Sequence, residues 1–390
     1  MSNFRVRVEK EDSNFIARSM TLEIGSKSIQ TPCRAFNLTS KDDCESIRIH
    51  NPNVRGLNEI YKKVNEESLR RLERNNSLQS RFVSEIVNPM NTVASDEITL
   101  LFLEYGTKQI PSNEEIEYLF DLLYGPMNDV VIPPILRGVS PEDYLIFLNR
   151  FFSVLKSYNK KPLIGLIPYG THRDLDPILA FYISKGVTLY AIDLNGRHPL
   201  LFHPHIVRVH RRLHQVKREY GQDCYLHGLN VSFGRALRSK EVVPAKDVFS
   251  FMYGLDSFGP PHVPPRLPPD VYGRLAKPPK PYQRFRLFNR SDYGYYRVDL
   301  VYSHGVFAQE RDVSVDVDSF RQIIDLNRVR NMQKAFNAER HGLEANTIRQ
   351  KVVDAELRKH IEEKRYAREN LKNLTKLASD VRKTSLSDFG

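Results

Sequence analysis

Short, nearly continuous apolar runs alternate with amphipathic stretches through the middle of the chain. Ile98–Glu104, Asp129–Ile135, Pro162–Pro168, Val187–Asp193 and Tyr225–Val231 each read as a strand, with a shorter one at Leu255–Phe258. Runs without polar alternation are what parallel strands covered on both faces require. Helix signals fill the gaps. Ser112 with Glu115 three residues on forms a capping box, Ser140-Pro141 followed by Glu142 and Asp143 is a second start, and Lys185-Gly186 ends a third helix. Ile206, Val209, Leu213, Val216 and Tyr220 make one apolar stripe at 3/4 spacing, opposite Arg208, Arg211, Arg212 and Lys217. That helix is expected on the outside of a sheet.

Phe4–Val8, Met20–Ile24 and Ser28–Ala35 add strands before this region, while residues 41–95 suggest a helical insertion. The pattern predicts an α/β fold, a TIM (β/α)8 barrel of about 250 residues. A doubly wound open sheet is the alternative, but no GxGxxG or GxxxxGK[ST] loop opens any of the helices. Nine prolines between Pro260 and Pro281 break the regular pattern. The expected division is therefore a barrel at 1–265, a basic and aromatic loop and strand region at 266–316 with a turn near Ser291-Asp292, and a charged helical C-terminal extension at 317–390. That extension reads as a solvated helix.

The chain has 390 residues and a net charge of +11. Its charge suggests a polyanionic partner, and its distribution sharpens the suggestion. Between Arg266 and Arg290, the cations Arg266, Arg274, Lys277, Lys280, Arg284, Arg286 and Arg290 face a single acid, Asp270, and are interleaved with Tyr272, Tyr282, Phe285 and Phe288. Cations for phosphates beside rings for bases suit opened or single-stranded nucleic acid, and Arg208, Arg211 and Arg212 offer a second phosphate-tracking face. Three scattered cysteines, Cys33, Cys44 and Cys224, fit neither a disulfide framework nor a zinc knuckle. With no long apolar run and a charged N-terminus, the expectation is a cytoplasmic protein without membrane spans.

In a parallel barrel the chemistry belongs at the C-terminal strand ends. Glu104, Asp193 and Asp256 are the acids read there, each able to act as general acid/base, as nucleophile or as a helix cap. Tyr169-Gly170 follows one strand, and His227 and Asn230 lie on another; these four are the candidate base-binding residues. His210 and His214 stand at i, i+4, but HEXXH is absent and Arg211 and Arg212 lie between them, so no metal is expected, nor any cofactor.

IGSKSIQTPCRAFN with Thr31-Pro32, PLIGLIPYGTHRDLDPILAFYISKGVTLYAIDLNG, and YLHGLNVSFG followed by AKDVFSFMYGLDSFG resemble the opening, central and closing units of the tRNA-guanine transglycosylase superfamily. The resemblance spans about two thirds of the chain in pattern and order. It implies exchange of guanine for a 7-deazaguanine base in DNA or tRNA, with one aspartate attacking the ribose and a second acid managing protons. Carried over residue by residue, the nucleophile's position falls on Gly259, the base-reading glutamine near Pro168, the Gly-Gly loop on Asp193-Leu194 and the second acid on Glu104. The family's cysteine-rich zinc site has no counterpart. Two readings follow. One is a divergent transglycosylase with Asp256 or Asp193 as nucleophile and Glu104 transferring protons. The other is a catalytically silent barrel that binds nucleic acid or serves as a partner subunit, as a homodimer or in a heteromeric pair.

Overall fold

The computed structural model describes residues 4–39, 45–125, 128–158, 161–170, 174–234, 240–263, 285–300, 307, 313–320 and 325–383. In chain order the strands are β1 (Phe4–Glu11), β2 (Arg18–Ile24), β3 (Lys27–Thr31), β4 (Cys33–Arg34), β5 (Phe36–Asn37), β6 (Leu57–Asn65), β7 (Ile98–Gly106), β8 (Ile135–Arg137), β9 (Ile164–Ile167), β10 (Leu189–Arg197), β11 (Tyr225–Val231), β12 (Val242–Pro244), β13 (Ser257–Phe258), β14 (Arg286–Asn289) and β15 (Gly294–Arg297). The fold is mixed α/β, with two parallel sheets at its centre. One runs β4-β13-β11-β10-β9 and the other β5-β6-β7-β8. The stretch Cys33–Asn37 contributes to both, and an isolated parallel bridge joins Val131 to Leu163.

The expected helix signals are realised. Ser112 and Glu115 form a reciprocal capping box on Asn113–Leu123, and the Ser140 hydroxyl accepts from the Asp143 N–H at the start of Pro141–Tyr158. Ile206, Val209, Leu213 and Val216 are buried on one face of His203–Tyr220, but Tyr220, placed on the same stripe, is exposed. Two apolar layers result. One lies between strands and helices and includes Phe120, Phe147, Leu179 and Ile206; the other joins Leu57, Leu100, Leu166, Ala191 and Tyr225 of the parallel strands to Met20, Leu22 and Ile29 of β2 and β3.

Three expectations need correction. Residues 41–95 hold helices Glu66–Arg74 and Asn76–Met90, as expected, but also the nine-residue strand β6. Asp129–Ile135 pairs only at Val131 before β8 forms at Ile135–Arg137, because Pro133 and Pro134 have no N–H to give a ladder. The C-terminal region is packed rather than solvated. Its long helix, Leu326–Val353, buries Ala335, Ala338, Gly342 and Ala345 along one side, and these small residues let it lie close to the body of the protein. A Cβ on Gly342 would press on Val54. Asn337 acts as an extra rung for β14: its amide donates to Arg286 O (2.9 Å) and its carbonyl accepts from Phe288 N (2.9 Å).

Candidate functional site

Polar side chains gather where β6, β7, β8, β10 and β11 approach their C-terminal ends. Parallel strands expose their last carbonyls and loops there, so a polar side chain at a strand end can be hydrated or meet a ligand, whereas one lower down must find a partner inside. Glu104 and Asp193 meet through a residue outside the expected set. The Arg137 guanidinium at the end of β8 donates to Glu104 (3.3 Å) and sits 2.8 Å from Asp193 Oδ2. The Tyr61 hydroxyl donates to the same Glu104 oxygen, Oε2, and Lys63 approaches the other at 3.8 Å. Burial, and then that hydrogen bond, push the Tyr61 phenol far above its ordinary range. Asp193 is held further by the Asn195 N–H (2.8 Å) and the Asn230 amide (2.9 Å). Asn195 and Asn230 both take left-handed backbone (φ 50° and 57°), a conformation asparagine tolerates better than most residues.

One layer deeper lies a second cluster centred on Glu59 of β6. His227 Nε2 is 2.6 Å from one of its oxygens and His262 Nε2 is 2.9 Å from the other. Burial alone would raise this carboxyl, but the two imidazoles outweigh it and hold it at about 2. His227 Nδ1 faces Ser257 Oγ (2.6 Å), which is also bonded to the Tyr225 hydroxyl. The His262 ring stacks on Tyr61, with centroids 4.8 Å apart and planes 10° apart, and its backbone N–H donates to Asn230 Oδ1 (2.9 Å). The two clusters are thus one hydrogen-bonded network.

A cavity of about 350 Å³ opens beside Arg137, lined among others by Pro168, Tyr169, Gly170, Asn195 and Arg197. That volume is at the lower end of small-molecule pockets, roughly 300–1,000 Å³. Tyr169 is 38% exposed, and the Arg197 guanidinium lies 4.9 Å from its ring centre. Of the expected base-binding residues, Tyr169 and Gly170 line this cavity, whereas His227 and Asn230 are buried in the network.

Asp256 belongs elsewhere. It precedes β13, and its carboxylate is gripped by Arg18 at 2.7 and 2.6 Å and by the Leu226 N–H at 2.7 Å. Arg18 also donates to Cys224 O, just before β11. These contacts fix Asp256 at the N-terminal ends of β11 and β13, opposite the cavity; the expectation of a strand-end catalytic acid is corrected to a buried ion pair. Gly259 gains a physical reason as well: a Cβ there would fall inside the Glu59 carboxylate.

The expected phosphate contacts divide similarly. Arg266, Arg274, Lys277, Lys280 and Arg284 lie outside the described residues. Arg286 is buried, donating to Lys240 O (2.6 Å) and Glu241 O (2.9 Å), which corrects its assignment to a phosphate groove; Phe288 is buried too. Arg286→Ala is expected to cost roughly 2–4 kcal/mol, since it empties the space of a large buried side chain and removes its hydrogen bonds to Lys240 O and Glu241 O, and to leave the salt dependence of nucleic-acid binding unchanged. A shallower salt slope with intact stability would return Arg286 to the binding surface. Arg211 donates to Asp380 O (2.6 Å), while Arg208 and Arg212 pair with Asp176 yet keep side chains 43% and 40% exposed. Among the described residues no group of three His, Cys, Asp or Glu is arranged to hold a metal, and no described helix is long and apolar enough to cross a membrane. The chain matches no protein-family model, and no curated protein matches it.

Proposed function

We propose that the two parallel sheets are arcs of one (β/α)8 barrel, and that its C-terminal mouth exchanges guanine in nucleic acid for a 7-deazaguanine base. Support for closure comes from pairing: β4 bonds to β13 and β5 to β6 within one short stretch, while Val131 and Leu163 bridge the other seam. The observation that carries the functional reading is the cavity beside Arg137, which brings Tyr169 and Gly170 together with a guanidinium backed by two carboxylates. A tyrosine ring gives a base a face to lie on, and guanidinium donors match the O6/N7 edge of guanine. Glu104, with a side chain 16% exposed, is the proton-transfer group. Asp193, surrounded by Arg137, Asn195 and Asn230, holds Arg137 and Asn230 in register. Arg208 and Arg212 flank Asp176, in the first turn of the helix Leu175–Ser184 that borders the cavity, and their partly exposed guanidinium groups are the candidate contacts to the phosphates of DNA or tRNA. The setting is the cytoplasm.

A second reading, a catalytically silent barrel that recognises nucleic acid, is favoured by one observation. All three acids of the network are already paired, and Gly259 stands where the resemblance puts a nucleophile. Incorporation of a radiolabelled 7-deazaguanine base into tRNA and into duplex DNA separates the two. Label is expected in one polymer, reduced about 10²–10⁴-fold by Glu104→Gln. Absence of label with tight, salt-dependent binding would establish the silent barrel instead.

A further inference from the structure

Two imidazoles hold Glu59, and they differ in kind. His227 is a strand residue locked in the core: Ser257 takes its Nδ1, and Phe102 stacks on its ring at 5.7 Å. His262 follows β13 on the loop Gly259-Pro260-Pro261-His262, and its side chain is 5% exposed. It is held by stacking on Tyr61, by Nε2 on Glu59 and by its own backbone N–H on Asn230. The His262 ring covers one Glu59 oxygen from a loop residue, whereas His227 covers the other from inside strand β11. The absent side chain at Gly259 makes room for that carboxylate. Glu59 is thus an acid delivered from β6 to the end of β13, with one of its two partners on a loop.

We propose that Glu59 is the nucleophile of the site and that His262 is its cover. This rests on the base-exchange reading above. The Glu59 oxygen attacks the sugar C1′; the C1′–N9 bond breaks, its electron pair leaves with guanine, and the Glu104 carboxyl supplies the proton that neutralises the departing base. The incoming 7-deazaguanine then gives its N9 proton to the Glu104 carboxylate and attacks C1′, expelling Glu59 as a carboxylate. Two displacements at one carbon retain its configuration, as for enzymes that use a carboxylate nucleophile. The ionised state such a nucleophile needs is the one its neighbours favour, since they hold it at about 2.

The test traps the intermediate. Wild-type protein is incubated with labelled tRNA or duplex DNA without incoming base, denatured and run on a gel, and any adduct is digested and mapped. A covalent adduct on the peptide containing Glu59 is expected, together with a loss of exchange of at least a hundredfold in Glu59→Gln. An adduct mapped to another residue, or exchange within tenfold of wild type in a folded Glu59→Gln protein, overturns the proposal. Mapping uses the wild type, so a misfolded variant would leave the test intact. Failure of wild-type protein to incorporate base into either polymer would instead sink the base-exchange reading, and this proposal with it.

Discussion

Asp256→Ala will unfold well below the wild-type denaturant midpoint, with a loss of about 3–5 kcal/mol. The carboxylate is fully buried and its three hydrogen bonds are short, two from Arg18 and one from the Leu226 N–H. Burial pushes the Asp256 carboxyl up, and Arg18 opposes that push. Removing the acid leaves the buried Arg18 guanidinium with Cys224 O as its remaining hydrogen-bond acceptor among the described residues, along with an unpaired N–H at the start of β11. The same pair ties β2 to the β11 and β13 ends of the parallel sheet, so the loss is one of the whole fold. Glu104→Gln, at the partly exposed end of β7, should change stability by less than about 1 kcal/mol. Equilibrium denaturation of both variants decides the assignment: a stable Asp256→Ala protein that has lost base exchange would restore Asp256 to the chemistry.

Apolar patterning was informative wherever a strand faces apolar layers on both sides. Tyr225–Val231 was read with its observed bounds, and Ile98–Glu104 and Pro162–Pro168 fell within two residues of theirs. It failed at β6, LNEIYKKVN, whose buried positions include Glu59 and Tyr61. A strand that carries an acid and a phenol into the interior breaks the apolar run that would identify it, so the element and its functional residues were missed together. Arg137 was missed because the strand was read as Asp129–Ile135, through both prolines, whereas β8 begins at Ile135 and ends at Arg137. Asp256 misled because a strand of two residues leaves no pattern from which to tell its start from its end. The long C-terminal helix was misjudged because its buried side is built from alanine, glycine and paired charges such as Glu339 and Glu344, which make no apolar stripe. What could be read in advance at the site was Tyr169-Gly170, at the strand-to-loop transition where parallel sheets place their ligands.

Below pH 6.5 the protein should lose stability steeply, by about 1.4 kcal/mol per pH unit for each buried neutral histidine. Four histidines are in this position, His214 among them, lowered by burial. Burial, with the nearby charge of Arg18 and His214, depresses His210 to about 3; burial and Lys246 depress His198 to about 4; burial and Arg34 hold His341 well below its usual range. His210 Nε2 lies 2.9 Å from Tyr253 O, a hydrogen bond that opposes the depression without outweighing burial. In each case the unfolded chain takes up a proton near pH 6.5 that the folded chain refuses. The stabilisation is therefore complete above that pH and declines as pH falls toward each folded value. Asp247 acts in the opposite direction. Burial lifts its carboxyl to about 6 despite the Tyr295 hydrogen bond, so the cost of ionising it is fully present above pH 6 and is relieved as pH falls toward 3.8. Between pH 6 and 4 Asp247, joined by Glu45 and Asp256, whose carboxyls burial also raises, offsets part of the imidazole contribution, and stability should still fall as pH falls. Denaturant titrations at half-unit intervals from pH 7.5 to 4.5 give the slope directly, and His210→Gln should reduce it by one proton. A stability that stays flat from pH 7 to 5, with the Gln variant superimposing on wild type, would mean that these imidazoles titrate in the folded protein as they do in water.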